Sequence, residues 1–267
     1  MENYTYEQYR ESAEALRARL GGFAPKVLLI LGSGLGGLGD QVEDPIVVPY
    51  TEVPHMKRST APDHKGQFVF GRLSGKDVAV MQGRLHTYEG WSFADVSYPV
   101  RVLRLLGAET LIVTNAAGAV NREFDVGDIM LITDHIKLFG VSPLCGPNLD
   151  EFGPRFPDMS HVYTPVLREA ARKAAENLDI RLREGVYMYF PGPSTRPLRR
   201  SVWPVPWVPT RWACPPCRRP SPPPTAGCAC WASPSAPTWR RVCWTSPSPA
   251  RRSSLPGRLP GRNSPLW

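Results

Sequence analysis

Positions 83–90 read Gly-Arg-Leu-His-Thr-Tyr-Glu-Gly. Arg84 carries a forked guanidinium that matches the oxygens of a phosphate. His86 stands two residues on, so in an extended loop both side chains reach one side. Glu89 is spaced to orient that imidazole, and Tyr88 adds a flat face and a hydroxyl. Earlier in the chain, Gly32-Ser33-Gly34-Leu35-Gly36-Gly37 follows an apolar run. A glycine-rich turn after a buried strand brings backbone N–H groups and a hydroxyl, here Ser33, close to an anion. Asn115-Ala116-Ala117-Gly118 follows a second apolar run, where small residues let the backbone approach a ligand. His64 lies in the polar stretch Ala61-Pro62-Asp63-His64-Lys65-Gly66. Each feature has a plainer reading as a solvated turn, a surface histidine or a tight turn. Together they supply an arginine, two histidines, a hydroxyl and backbone donors, with no metal-ligand spacing in this part of the chain. That set points to a phosphate or a phosphorylated ligand.

Gly32, Gly34 and Gly37 also spell the glycine pattern of a dinucleotide site. That site wants a helix opening at the loop and an acidic residue ending a second strand. Pro45, Pro49 and Pro54 break the following stretch, so a phosphate-binding turn fits better.

The elements that must position these residues can be read from periodicity. Apolar residues at helical spacing predict an amphipathic helix over 5–20, with further helices over 93–106 and 165–176. Short apolar runs predict strands over 26–31, 67–72, 77–82, 110–114, 128–136 and 185–190. Strands and helices interleave, and the loops after several strands are glycine-rich. The expected fold is α/β, a mixed central β-sheet flanked by helices and buried on both faces. In such sheets sites form at the carboxyl ends of the strands, where the candidate residues fall.

The chain has a seam near Ser194. From 195 to 267 there is no Asp, Glu or Lys, but there are 12 Arg, 17 of the 30 Pro, 7 of the 8 Trp and 5 of the 6 Cys. The whole chain carries a net charge of +8 and this tail +12, so residues 1–194 carry −4. The basic balance that would suggest nucleic acid therefore belongs to the tail alone. Frequent proline fixes φ and removes backbone donors, so the tail is expected to be irregular or disordered. Cys214, Cys217, Cys228 and Cys230 mimic zinc spacing, and Arg with Trp mimics a single-strand-binding platform. Both readings rank below a tail that is not a folded part of the protein. The single cysteine of the body, Cys145, fits a reducing compartment, and the N-terminus lacks a charged and apolar leader. No run of 18 apolar residues is present. The expectation is a cytoplasmic protein with an α/β domain over 1–194.

At this point the motifs become recognisable as a set. The glycine-rich turn, Ser59-Thr60-Ala61-Pro62-Asp63-His64, Gln82 to Gly90, Val113 to Gly118, Val126-Gly127-Asp128-Ile129-Met130 and Arg155-Phe156-Pro157-Asp158-Met159-Ser160 resemble, in order and spacing, the trimeric, 6-oxopurine-preferring purine nucleoside phosphorylases. The resemblance runs from about Tyr4 to Ser194. It implies phosphorolysis of inosine or guanosine to free base and ribose 1-phosphate, with inorganic phosphate as co-substrate and no cofactor or metal. It implies phosphate binding by Ser33, His64, Arg84, His86 and the Ala116 backbone. Tyr88 would touch the ribose and Glu89 would support His86, the two catalytic assignments being His86 and Glu89. Phe156 would reach the ribose of a neighbouring subunit in a homotrimer. Ala119 departs from the family, which usually has glycine there.

After Gly192-Pro193-Ser194 the resemblance stops. The family continues with an aromatic, a base-reading Glu and a helix, and later a Ser, an Asn and a His, whereas this chain has Thr195-Arg196-Pro197. A one-base shift in reading frame at Thr195 accounts for this. Codons for Thr195 to Ser201 exist that, read one base earlier, spell Tyr-Glu-Thr-Pro-Ala-Glu-Ile. The same shift serves later windows, including one that restores an Asn. The chain as it stands is therefore expected to turn over poorly, the alternative being an inactive phosphate-binding fragment with a basic tail.

Overall fold

A computed structural model describes residues 3–32, 34–61, 64–121 and 123–192, together with the backbone of two short strands at 211–212 and 240–243. Helix α1 spans Tyr6–Leu20. Thr5 caps it, accepting from the Gln8 amide while the Gln8 side chain accepts from the Thr5 amide. Its buried stripe is Tyr9, Ser12, Ala13, Leu16 and Leu20. Helix α2, Phe93–Leu105, starts with the same reciprocal cap between Ser92 and Asp95. Helix α3, Pro165–Asn177, opens on a proline, whose missing N–H costs nothing in the first turn.

The strands are β1 (Val27–Ile30), β2 (Glu43–Pro49), β3 (Gln67–Leu73), β4 (Lys76–Gln82), β5 (Thr110–Val113), β6 (Gly118–Ala119), β7 (Ile129–Lys137), β8 (Leu182–Tyr189), β9 (Arg211–Trp212) and β10 (Arg240–Cys243). One sheet runs β10-β5-β1-β4-β3-β2, and a second runs β6-β9-β8-β7. In the first, β1 pairs in parallel with β4 and β5, while β3 is antiparallel to β4 and β2. The sheet is thus mixed, as the sequence predicts. Alternate residues along its strands feed two cores. Leu28, Ile30, Phe68, Phe70, Ala79, Met81, Leu111 and Val113 join the core that includes α1 and α2. Leu29, Leu31, Val69, Val78 and Val80 form the other, against which Leu35 and Leu38 pack. The glycine-rich segment therefore lies over the second face of the sheet. Each of the buried Val, Leu, Ile, Phe and Met side chains contributes about 1.5–3 kcal/mol of transfer free energy.

Four strands lie outside the expected set: β2, the two-residue β6, β9 and β10. β2 forms in the proline-broken stretch after the glycine-rich turn. It is an edge strand, and its register shifts between Glu43 and Ile46, where Pro45 is accommodated by the irregularity. The tail is expected to be irregular or disordered, yet β10 pairs in parallel with β5, and β9 pairs with β6 and β8. Both sit in proline-free windows of the sequence, 210–214 and 238–246, where the backbone keeps its donors. No helix among the described residues is long and apolar enough to cross a membrane.

Candidate active site

The carboxyl ends of three adjacent parallel strands carry the site. After β1, the Gly32 amide donates to Thr114 Oγ1 at 2.9 Å, just beyond β5. A Cβ on Gly32 would lie 2.5 Å from the Thr114 carbonyl oxygen and 2.6 Å from Asn115 Cα. Only glycine lets these two loops touch. After β4, Gly83 adopts φ +102°, and a Cβ there would lie 2.5 Å from His64 Cβ. Gly83 thus both turns the chain and lets the His64 loop close over it.

Arg84 bridges the loops. Its Nη1 donates to the Thr114 carbonyl at 2.7 Å and its Nε to His86 Nε2 at 3.3 Å. His64 Nδ1 lies 2.9 Å from the Arg84 carbonyl oxygen and 3.1 Å from Ser59 Oγ. The His64 and His86 rings stack at 4.9 Å, and Tyr88 stacks on the other histidine, His86, at 4.6 Å. His86 Nδ1 is 2.7 Å from Glu89 Oε1, which also accepts from the His86 amide. The second Glu89 oxygen accepts from the Thr60 amide and hydroxyl. The Glu89 carboxylate is almost wholly buried, at 2 % exposure, and all of these donors face it.

These contacts set the protonation. Burial, reinforced by the Arg84 guanidinium, pushes His86 down to about 4, against the pull of Glu89. Burial alone would raise Glu89, but the Thr60 and His86 hydrogen bonds hold it below the ordinary carboxylate range. At neutral pH the pair is therefore a neutral imidazole beside a carboxylate. The bonding fixes the tautomer: Nδ1–H donates to Glu89, and Nε2 keeps its lone pair, facing Arg84. The result is a cation, a proton acceptor and a rigid orienting carboxylate at one place.

Of the residues singled out from sequence, Arg84, His86, Tyr88, Glu89 and His64 come together here. Ala116 lies two residues beyond Thr114, on the loop that Arg84 contacts, in half-buried backbone. Ser33 lies outside the described residues, between Gly32 and Gly34. Phe156 is not part of the cluster in this chain and stands 89 % exposed. Sequence reasoning missed Thr114, whose hydroxyl and carbonyl join all three loops, and the anchoring donors of Thr60. Asn115, read from sequence only as part of the small-residue loop, has a buried Oδ1 with no hydrogen-bond partner among the described residues. Thr114 and Thr60 lie inside recognised motifs, but a threonine's partners depend on tertiary contact and leave no periodic trace.

The model of the phosphorylase superfamily matches residues 26–201. The chain belongs to this superfamily. Within it, the chain is 52 % identical over 171 residues to purine nucleoside phosphorylase 1 of Geobacillus stearothermophilus, covering 64 % of this chain and 62 % of that protein. It is 48 % identical over 200 residues to the purine nucleoside phosphorylase of Rattus norvegicus, covering 73 % of this chain and 69 % of the relative. Among solved structures of the superfamily, isoform 2 of the Schistosoma mansoni enzyme, in complex with cytosine and ribose-1-phosphate, superposes with a TM-score of 0.78. That match has 32 % identity and covers 90 % of this chain and 82 % of the other. The sequence match thus spans a little under two thirds of the Geobacillus relative's length.

Proposed function

We propose that this chain is built for phosphorolysis of purine nucleosides, releasing free base and ribose 1-phosphate. The observation that carries the reading is the Arg84–His86–Glu89 cluster, locked to the β1 and β5 loops through Thr114. In this reading Arg84 turns its guanidinium from the Thr114 carbonyl to the phosphate oxygens, with Ser33, His64 and the Ala116 backbone completing the cradle. Release of the Arg84 Nε contact leaves His86 Nε2 to share the phosphate proton, while Glu89 holds the ring. A phosphate oxygen then bonds to C1′ as the bond from C1′ to the purine nitrogen breaks, and the base leaves with the electron pair. Binding the developing charges more tightly than the ground state lowers the barrier. Tyr88 contacts the ribose. Phosphate is a co-substrate, and the reaction calls for no cofactor or metal.

The same reading makes the working unit a homotrimer in the cytoplasm, with Phe156 of one copy at the ribose of the next. Exposed Leu138, Phe139, Val141, Phe156 and Met159 on one stretch of chain support such a contact. The base-reading Glu of the resemblance, its later Ser for phosphate, and its Asn and His for base and ribose have no counterpart in the motifs after Ser194, and a frame shift at codon 195 accounts for their loss. Low turnover follows, because the polar edges of the purine are left without partners. A coupled inosine assay tests this. The expected result is phosphate-dependent turnover, abolished by Arg84→Ala, and far slower than the Geobacillus relative assayed alongside. Phosphate-independent turnover overturns the mechanism, and turnover equal to the relative's overturns the account of the tail.

A further inference from the structure

One polar side chain beneath the site takes no part in the chemistry above. Gln82 is the last residue of β4, two positions before Arg84, and is 2 % exposed. Its Nε2 donates to the Gly36 carbonyl at 2.9 Å and to Asp40 Oδ1 at 2.8 Å. Its Oε1 accepts from Gln67 Nε2 at 2.7 Å, and Gln67 is its register partner in β3. The Gly36 carbonyl and the Asp40 carboxylate only accept, so they fix which way the Gln82 amide points, and Gln67 then donates to its oxygen. The glycine-rich segment closes tightly on the amide: a Cβ at Gly39 would lie 2.4 Å from Gln82 Nε2. Asp40 also accepts from Lys65 Nζ at 2.6 Å, and Lys65 adjoins His64. One buried amide therefore ties the glycine-rich segment to the strand that carries Arg84. The exposed Asp40–Lys65 pair adds a weaker tie to the loop that carries His64.

We propose that Gln82 is a positioning residue, whose carboxamide holds the glycine-rich segment at the height where its turn meets Arg84 and His86 around one phosphate. The phosphate clause rests on the proposed function, whereas the holding of the segment rests on geometry alone. The amide works because it donates. A carboxylate in its place would face the Gly36 carbonyl and the Asp40 carboxylate with acceptors only, and leaving such groups unpaired is costly.

The test measures amide hydrogen exchange over 34–41 and inorganic phosphate binding by calorimetry, in wild type and variants. Gln82→Glu is expected to speed exchange in that segment and to weaken phosphate by about tenfold each, the scale of one lost hydrogen bond. Exchange in β3 and β4 stays at the wild-type level. Adding Asp40→Asn to Gln82→Glu returns a donor to the pair and is expected to recover most of both effects, which a general packing defect would not do. If Gln82→Glu does not fold, Asp40→Ala removes one acceptor at an exposed position and is expected to speed exchange in the same segment only. Unchanged exchange over 34–41 in the variants overturns the proposal. Faster exchange with phosphate affinity unchanged overturns the phosphate clause. A wild-type chain that binds no phosphate overturns the functional reading and that clause together, while exchange still decides whether Gln82 holds the segment.

Discussion

At the scale of single residues, the site is a problem of keeping a histidine uncharged beside a carboxylate. His86 is buried and faces Arg84, so the charged ring is penalised; Glu89 is saturated with donors, so it stays ionised. This has a pH signature in the protein without phosphate. His86 titrates near 4 when folded and near 6.5 as a free side chain, so between those values the unfolded chain binds more protons. Its contribution to stability is therefore complete above about 6.5 and is lost as pH falls toward about 4, a change on the order of 3 kcal/mol. Denaturant midpoints of wild type and His86→Gln across that range check this. The wild type is expected to lose stability faster than the variant on acidification, and parallel curves would refute the assignment.

At the scale of elements, the Arg84–His86–Glu89 cluster depends on close approach between loops rather than on the loops themselves. Gly32 against Thr114 and Asn115 is the tightest such contact between β1 and β5. Gly32→Ala is expected to push the two loops apart, cost about 1–3 kcal/mol in stability, and weaken phosphate binding. Thermal denaturation with and without phosphate measures both; an unchanged phosphate response would show that the loop contact is dispensable. Among the described elements, the strands β1, β3, β4, β5, β7 and β8 and the three α-helices are legible from apolar runs, helical spacing and a glycine stop. β2 was not, because Pro45 and Pro49 argue against a strand, and only an edge position with a register shift tolerates them. β9 and β10 were hidden by the composition around them. The site was legible as residue types at strand ends. Thr114, Thr60 and Gln82 were not, because their roles lie in which backbone atoms they meet across the fold.

At the scale of the whole molecule, an acidic body carries a tail of opposite charge and alien composition, and the Arg84–His86–Glu89 cluster lies in the body. The two-faced core of the first sheet draws most of its buried side chains from residues before 114, and Met130, Ile132, Phe152, Tyr163 and Tyr187 help complete one of its faces. The ends of β1, β4 and β5 carry the Arg84–His86–Glu89 cluster and its Thr114 anchor, and β10 of the tail pairs with β5 along its length. In the proposed reaction, the part that needs the purine edge falls where the resemblance to that family stops. Phosphate binding should therefore survive even where turnover does not. Isothermal titration of inorganic phosphate into the wild-type chain and into Arg84→Ala tests this most directly. One phosphate per chain, bound about tenfold or more weakly in the variant, is the expected result. Equal binding by the two proteins, or no binding by either, would contradict it.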